Sequence, residues 1–468
     1  MSDIGSPISE SITFKNSQGL DARGTVLKIS QNHIVFETYN PYSIVQLSEV
    51  LNEVRINRFN EIIYNGKAVV SNLINTGLLI VVSATLVDSF SEKSQTTKSI
   101  DVGDAANQFV FEWQQLNNKI PNLYQISIGK LRSFLFDANR WIEQLDIDSE
   151  DGNGTSYNNL VNKISESFLP SLGNLLINFE SEASKIDTST DKSVESICKK
   201  HAQKELHPLI MQSPFMYRCF SKPLGYAGDY EMVNMMLRDP YEGETPYAQL
   251  INLFFLKAGP AEAHRNRIDI LYSKIKEVAL KAKKAGHKAK IFNFACGPAI
   301  EIQKFIEGEE ISENCEFTLL DFNKQTLQYT ADKIDKSKQK SGNRKVDVNY
   351  INKSAHEVLK EAVNINQKEL PQDNFDLVYC AGLFDYLSDK VCARLLQLFF
   401  WQLKPGGDLL ATNVHTDHPV KALMEYLMEW YLVYRNEDEF LKLIDVKEKK
   451  IYADPTGYNI FLDVHKSI

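Results

Sequence analysis

The chain has 468 residues, beyond the size at which one hydrophobic core keeps growing, so two to four domains are expected. Hydrophobic residues make up 43%, enough for each domain to build a core. The formal net charge of -9 argues against nucleic acid or an anionic membrane as the main partner, because phosphate binding needs clustered Lys and Arg. No long uncharged apolar run is present, so no membrane span is expected, and MSDIGSPISESITF lacks the basic-then-apolar pattern of a signal peptide. Cys198, Cys219, Cys296, Cys315, Cys380 and Cys392 are scattered, with no C-x-x-C pair and no His at metal spacing. Free thiols, a reducing cytoplasmic setting and no metal site follow as expectations.

In chain order, residues 12 to 92 read as strands. TVLKIS, HIVFETY, SIVQLSEV, EVRI, EIIYNGKAVVSNLI and GLLIVVSATL are rich in Val, Ile, Thr and Tyr and broken by Asn, Gly and Pro. A small antiparallel barrel or sandwich is expected over 1–95, with Asn65-Gly66 as a hairpin turn. The polar stretch SFSEKSQTTKSIDVGD is a boundary. A helical region spans 100–188, carried by FVFEWQQLNNKI, LRSFLFDANRWIEQL and a third pattern over 160–183. DIDSEDGNGTSYNN and KIDTSTDKSVE read as linkers inside and after it. From about Ser193 helices precede a β/α alternation: AKIFNFAC, CEFTLLDF, VDVNYIN, NFDLVYCAG and GDLLATNV, with helical patterns between. That alternation predicts a mostly parallel sheet covered on both faces. IDVKEKKIYAD and YNIFLDVHK, joined by Pro455-Thr456-Gly457, add an antiparallel hairpin at the end.

The chemistry concentrates where the strands end. The first strand runs into Ala295-Cys296-Gly297-Pro298-Ala299 and then a helix over 300–306. A small-residue turn lets backbone approach a ligand, and the helix start favours an anionic group. A tight β-α turn without ligand would look the same. TLLDF places Asp321 and Phe322 at the end of the second strand, about 24 residues after Gly297, where a carboxylate accepts from both ribose hydroxyls. Asn352, Ser354 and Ala355 follow the third strand, where an adenine edge would lie, and Cys380 and Ala381 end the fourth. Leu403-Lys404-Pro405-Gly406-Gly407 opens the fifth.

This series, a small-residue loop, an acid after the second strand, FDLVYC, LKPGG and a final hairpin, resembles the class I S-adenosylmethionine methyltransferases over about 288–468. The resemblance implies a Rossmann-like α/β fold with an antiparallel last strand and S-adenosyl-L-methionine as cofactor. It implies methionyl contacts at Ala295, Cys296, Gly297 and Pro298, ribose at Asp321, and adenine contacts at Ser354 and Ala355. Ala295 departs from the Gly of many members, which fits if its φ is negative.

Upstream, KPLGYAGDYEMVNM, PYEG, HRNR and the later EWYLVYRNEDE resemble the bacterial methyltransferases of extracellular factor 3-hydroxypalmitic acid methyl ester biosynthesis. A helical lid over 190–285 of a 190–468 methyltransferase domain is implied, with methyl transfer to a small-molecule or fatty-acid carboxylate. Tyr226, Asp229, His264, Arg265 and His415 are the catalytic candidates, although Asp229 equally suits a helix cap. An ionised carboxylate needs a cation, for which Arg218, Arg265 and Arg267 are candidates; a hydroxyl acceptor needs a base such as His264, His415 or Asp385. The apolar run MEYLMEWYLVY reads as core or as an acyl pocket. Alternatives left open are a protein acceptor docking on the helical region and a cofactor-binding regulator without turnover; a homodimer is compatible with all of these. The N-terminal strands are similar to PilZ domains, but Arg23 is followed at the fourth position by Leu27, and Ile29-Ser30-Gln31 lacks the expected glycine pattern. Without paired arginines to clamp guanine and phosphate, cyclic di-GMP is not an expected ligand.

Overall fold

A computed structural model describes residues 10–30, 32–39, 45–58, 61–75, 79–88, 102–145, 155–187, 192–364 and 375–467. Gln31, most of the SFSEKSQTTKSIDVGD boundary, the start of SIVQLSEV, the first part of DIDSEDGNGTSYNN and the middle of KIDTSTDKSVE lie outside them. The chain divides into two compact units, 1–227 with 239–256 and 419–431, and 228–238 with 257–418 and 432–468.

The first unit begins with six strands: β1 (Ser11–Lys15), β2 (Asp21–Ser30), β3 (His33–Tyr39), β4 (Val50–Arg58), β5 (Glu61–Asn75) and β6 (Leu79–Leu86). They close into an antiparallel barrel in the order β1-β2-β3-β6-β5-β4. Period-two alternation sends Ile12 and Phe14, Ile34 and Phe36, Val82 and Ala84 inward, where all are buried. Closure leaves no strand edge unpaired.

Two expectations change here. SIVQLSEV and EVRI do not form separate strands, because Val50 to Arg58 is one strand with a register shift between Leu51 and Val54. Nor is Asn65-Gly66 a turn: Asn65 faces Arg55 and Gly66 faces Val54 inside the β4–β5 ladder. Gly66 is needed there for space. A Cβ would stand 2.3 Å from Oδ2 of Asp88, the atom that accepts from the Lys67 amide at 2.7 Å.

Helices α1 (Val102–Asn118), α2 (Asn122–Glu143), α3 (Thr155–Asp187), α4 (Lys192–Ile210), α5 (Pro214–Ser221) and α7 (Pro246–Lys257) follow, with α6 (Tyr230–Leu237) assigned to the other unit. Pro121 separates α1 from α2, as expected of a residue without an amide hydrogen. The segment 419–431 joins this first unit through α13 (Lys421–Leu427). Glu180 of α3 accepts from the amides of Ala422 and Leu423 at 2.7 and 2.8 Å, capping the start of α13. Tyr426 packs edge-on against Tyr124 and Phe179, and Ser48 of the barrel donates to the carbonyl of Tyr431 at 2.8 Å. Met424 to Tyr431 of the MEYLMEWYLVY run are therefore core.

The second unit holds a seven-stranded sheet. Its strands are β7 (Ala289–Phe294), β8 (Cys315–Asp321), β9 (Asp347–Asn352), β10 (Phe375–Cys380), β11 (Leu403–Val414), β12 (Lys449–Ala453) and β13 (Asn459–His465). The order is β12-β13-β11-β10-β7-β8-β9. All adjacent pairs are parallel except those of β13, which runs antiparallel to both β11 and β12. Helices α8 (Gly259–Lys284), α9 (Ile300–Gly308), α10 (Lys324–Lys340), α11 (Ala355–Asn364), α12 (Asp389–Gln402) and α14 (Glu437–Leu441) flank it. Alternate strand residues serve two cores: Ile291, Phe317, Leu319 and Leu377 pack with Ile275, Ile302 and Phe305, while Phe292, Phe294, Val378 and Leu409 pack with Leu395, Leu396 and Phe399. The architecture is the Rossmann-like sheet with a small N-terminal barrel that the sequence predicts.

Candidate cofactor and active site

The strand order reverses between β7 and β10, since β7 continues to β8 on one side while β10 lies on the other. In open α/β sheets such a switch point opens a crevice at the carboxyl ends of the strands. The residues expected to bind cofactor lie at these ends: Ala295 to Pro298 after β7, Asp321 and Phe322 at β8, Ser354 and Ala355 after β9, Cys380 and Ala381 at β10.

The β7 loop is unusually bent. Ala295, Gly297 and Ala299 all have positive φ, at 58°, 51° and 48°. The negative φ under which alanine would fit easily at position 295 is not adopted; the turn is left-handed there with alanine in place. Cys296 donates its amide to the Leu320 carbonyl at 2.9 Å, Thr330 donates its hydroxyl to the Gly297 carbonyl at 2.7 Å, and Gln303 donates to the Pro298 carbonyl at 2.6 Å. An added Cβ on Gly297 would meet nothing within 4 Å, so the turn faces open space.

Asp321 is 6% exposed. Its Oδ2 accepts from the Gly297 amide at 3.1 Å and its Oδ1 from the Asn323 amide at 2.9 Å. Loss of water pushes its carboxyl up to about 6, against the pull of those amides. The acid and the glycine turn are therefore directly joined. Asp321 does not cap the next helix; Asn323 does, accepting from Thr326 at 3.1 Å. Asn352 donates to the carbonyls of Asp321 and Phe322 at 3.0 and 2.8 Å, tying the β9 end to the β8 end. Ser354 forms a capping box with Glu357 at the start of α11, so its hydroxyl is engaged. Cys380 is buried, and burial raises its thiol well above the usual range, so it is an inert wall.

On α8, His264 and Arg267 lie one turn apart on one face. Nδ1 of His264 sits 3.1 Å from the Pro260 carbonyl, so in the neutral ring Nδ1 carries the proton and Nε2 keeps its lone pair. Burial, reinforced by Arg267, pushes this imidazole down to about 3. His418 is 8% exposed, packs between the Tyr434 and Tyr458 rings, and is pushed down to about 4 by burial. Arg267 is 8% exposed, with Asp385 and Glu301 as its electrostatic neighbours. Asp385 accepts from the Val414 amide at 2.6 Å, and Glu301 from Asn293 and Tyr379 at 3.1 and 2.7 Å.

Three of the other candidates have protein partners. Asp229 caps α6, accepting from Met232 at 2.9 Å. Arg265 donates to Glu262 and to the Met236 carbonyl at 2.8 and 2.9 Å. His415 contacts Glu437 at 3.2 Å and accepts from the Asp417 amide at 3.2 Å. Tyr226 and Arg218 belong to the first unit, where the neighbouring Gly225 carbonyl accepts from Val50 of the barrel at 2.8 Å. His418 and Glu301 were not singled out from sequence: a lone His carries no pattern, and Glu301 reads as an ordinary first-turn acid. Among the described residues no cluster of His, Cys, Asp and Glu is arranged to hold a metal, and no helix is long and apolar enough to cross a membrane. All six cysteines are buried, and none is joined in a disulfide.

Residues 286–452 match a family described as a methyltransferase domain. The match marks this stretch, which carries most of the sheet of the second unit, as methyltransferase-like. Among solved structures, a possible exported protein from Bordetella parapertussis is similar at 12% identity, covering 65% of this chain and 97% of its own, with a TM-score of 0.40. The magnesium protoporphyrin IX methyltransferase of Synechocystis PCC 6803, with bound SAH, is similar at 10% identity, with 44% and 84% covered and a TM-score of 0.31. The N-methyltransferase NodS from Bradyrhizobium japonicum WM9 shares 13% identity, with 51% and 97% covered and a TM-score of 0.29. No curated protein matches the chain.

Proposed function

We propose that this methyltransferase transfers the cofactor's methyl group to the carboxylate of a small molecule, in the first instance a fatty acid. The observation that carries the cofactor side is the bond between Asp321 and the Gly297 turn: a buried carboxylate and an open backbone curve, held together at the switch point. Asp321 takes the ribose hydroxyls, the 295–298 turn takes the methionyl arm, and Phe322, Ser354 and Ala355 line the adenine edge, with Cys380 and Ala381 as the far wall.

S-adenosylmethionine supplies an already activated methyl group. The chain's own task is to align the acceptor oxygen and exclude water. A general base works best with a pKa near the working pH. His264 and His418, at about 3 and 4, fall far short, and Asp385 is held by the Val414 amide. Such surroundings suit an acceptor that arrives ionised, which a carboxylate does and a hydroxyl does not. His264 then serves as a neutral hydrogen-bond acceptor through Nε2.

The test is chemical. Purified protein is incubated with methyl-labelled S-adenosylmethionine and a series of fatty acids from about eight to eighteen carbons, each CH2 that is buried contributing about 0.8 kcal/mol. A methyl ester releases its label as methanol in alkali. Alkali-stable product overturns the carboxylate reading. For the barrel we propose a degenerate PilZ-like domain without nucleotide binding, because Leu27, four residues after Arg23 on β2, is 52% exposed where a second arginine would be needed.

A further inference from the structure

Arg267 stands out among the buried cations of the second unit. It is 92% withdrawn from solvent, yet its guanidinium donates no hydrogen bond among the described residues. Five N–H donors left unmade in such a place are costly unless a ligand completes them. Asp385 and Glu301 offset its charge without bonding it. The residue keeps 8% of its exposure and is not among the described side chains with a sealed, unpartnered polar atom. Gly382, the second residue after β10, lies flat against it: a Cβ there would be 3.2 Å from Nη1 and 3.4 Å from Nη2. With φ at +92°, Gly382 suits both the bend and the close approach.

Its position in the sheet narrows the ligand. The order β8-β7-β10 puts the Asp321 end of β8 and the Gly382 side of β10 two strand spacings apart, roughly 10 Å. The 295–299 turn lies between them. Ribose and α-carboxylate are the opposite ends of the cofactor's amino-acid arm, which crosses that turn in the reading above. We infer that Arg267 is the clamp for the cofactor's methionyl carboxylate, held flat by Gly382 so that its planar fork meets the carboxylate edge-on. An Arg fork matches a carboxylate through two parallel N–H···O bonds, which a single ammonium does not.

The inference rests on the cofactor reading, and two ligands separate the two claims. S-adenosylhomocysteine carries the amino-acid carboxylate; 5′-methylthioadenosine ends at the thioether and lacks it. Both are titrated calorimetrically into the full-length chain. Arg267→Met is expected to weaken S-adenosylhomocysteine at least tenfold and to leave methylthioadenosine within a factor of two, which also reports a folded site. Arg267→Lys recovers part of the loss. Asp321→Asn weakens both ligands alike. Should Arg267→Met bind S-adenosylhomocysteine as tightly as wild type, the guanidinium serves another anion, such as the acceptor's carboxylate, and the clamp is refuted while the cofactor reading stands. Should wild type bind neither ligand, the cofactor reading fails and takes the clamp with it.

Discussion

At the scale of single residues, the β7 loop places alanine twice in a left-handed conformation, a cost of roughly 1–2 kcal/mol each. Ala295→Gly removes that strain, and the added loss of chain entropy is smaller than the strain relieved. The expected result is a gain of about 0.5 to 1 kcal/mol in urea unfolding; a loss would mean that the Ala295 methyl packs productively. Asp321 gives a pH signature. Its folded carboxyl sits at about 6, above the ordinary 3.8, so the folded state holds the proton more tightly than the unfolded one. Its contribution to stability is full below pH about 4 and is lost as pH rises through 6, by at most about 3 kcal/mol. In the proposed site ribose hydroxyls donate to the ionised form, so affinity for S-adenosylhomocysteine should run the other way, falling as pH drops below 6. Calorimetry at pH 5, 6 and 7 checks this, and Asp321→Asn should flatten the profile. That Asp321 and Gly297 stand at the ends of neighbouring strands was legible in sequence, because strand ends and loops have local signals. The positive φ of Ala295 was not, since the loop after it is tied at Cys296, Gly297 and Pro298 to Leu320, Thr330 and Gln303 on other elements.

At the scale of elements, Arg435 ties the loop after β10 to the end of β11. It is 2% exposed and donates to the carbonyls of Phe384 and Leu387 at 2.9 and 2.7 Å, to Asn413 at 2.6 Å, and to Asp389 at 2.9 and 2.8 Å. Asp385 sits within that loop. Arg435→Met strips these partners and should cost about 3 kcal/mol. Hydrogen exchange over 382–389 should rise with it; an unchanged exchange pattern would mean the loop is held by packing alone. In the barrel, Gly66→Ala should cost about 1–3 kcal/mol through the clash with Asp88. The sequence suggested a hairpin at that glycine because Asn-Gly favours turns. Residue 88 lies 22 positions on, and its carboxylate is invisible to any local pattern. Strand alternation, by contrast, carried the parallel sheet and its closing hairpin, because period and length alone distinguish those segments.

At the scale of the whole chain, the two units interleave in sequence. The first completes its helical core with 239–256, upstream of the seven-stranded sheet, and with 419–431, which arises between β11 and β12 of that sheet. A fragment of residues 1–227 would leave Tyr124 and Phe179 without Tyr426, and Glu180 without α13. Near-ultraviolet circular dichroism of that fragment should lack fixed aromatic signals; a native-like spectrum would show that the first 227 residues suffice. No local pattern betrays this interleaving, since it depends on which core accepts an apolar run, and MEYLMEWYLVY suits either. Titration with cyclic di-GMP should show no binding, and micromolar affinity would overturn the reading of the barrel. The most direct test of the central claim is the dissociation constant of S-adenosylhomocysteine for wild type and Asp321→Ala, measured on the intact chain at neutral pH. Loss of a charged hydrogen-bond acceptor predicts a weakening of about 1.5–3 kcal/mol, more than tenfold. Equal affinity for the two proteins would contradict the assignment of this crevice as the cofactor site.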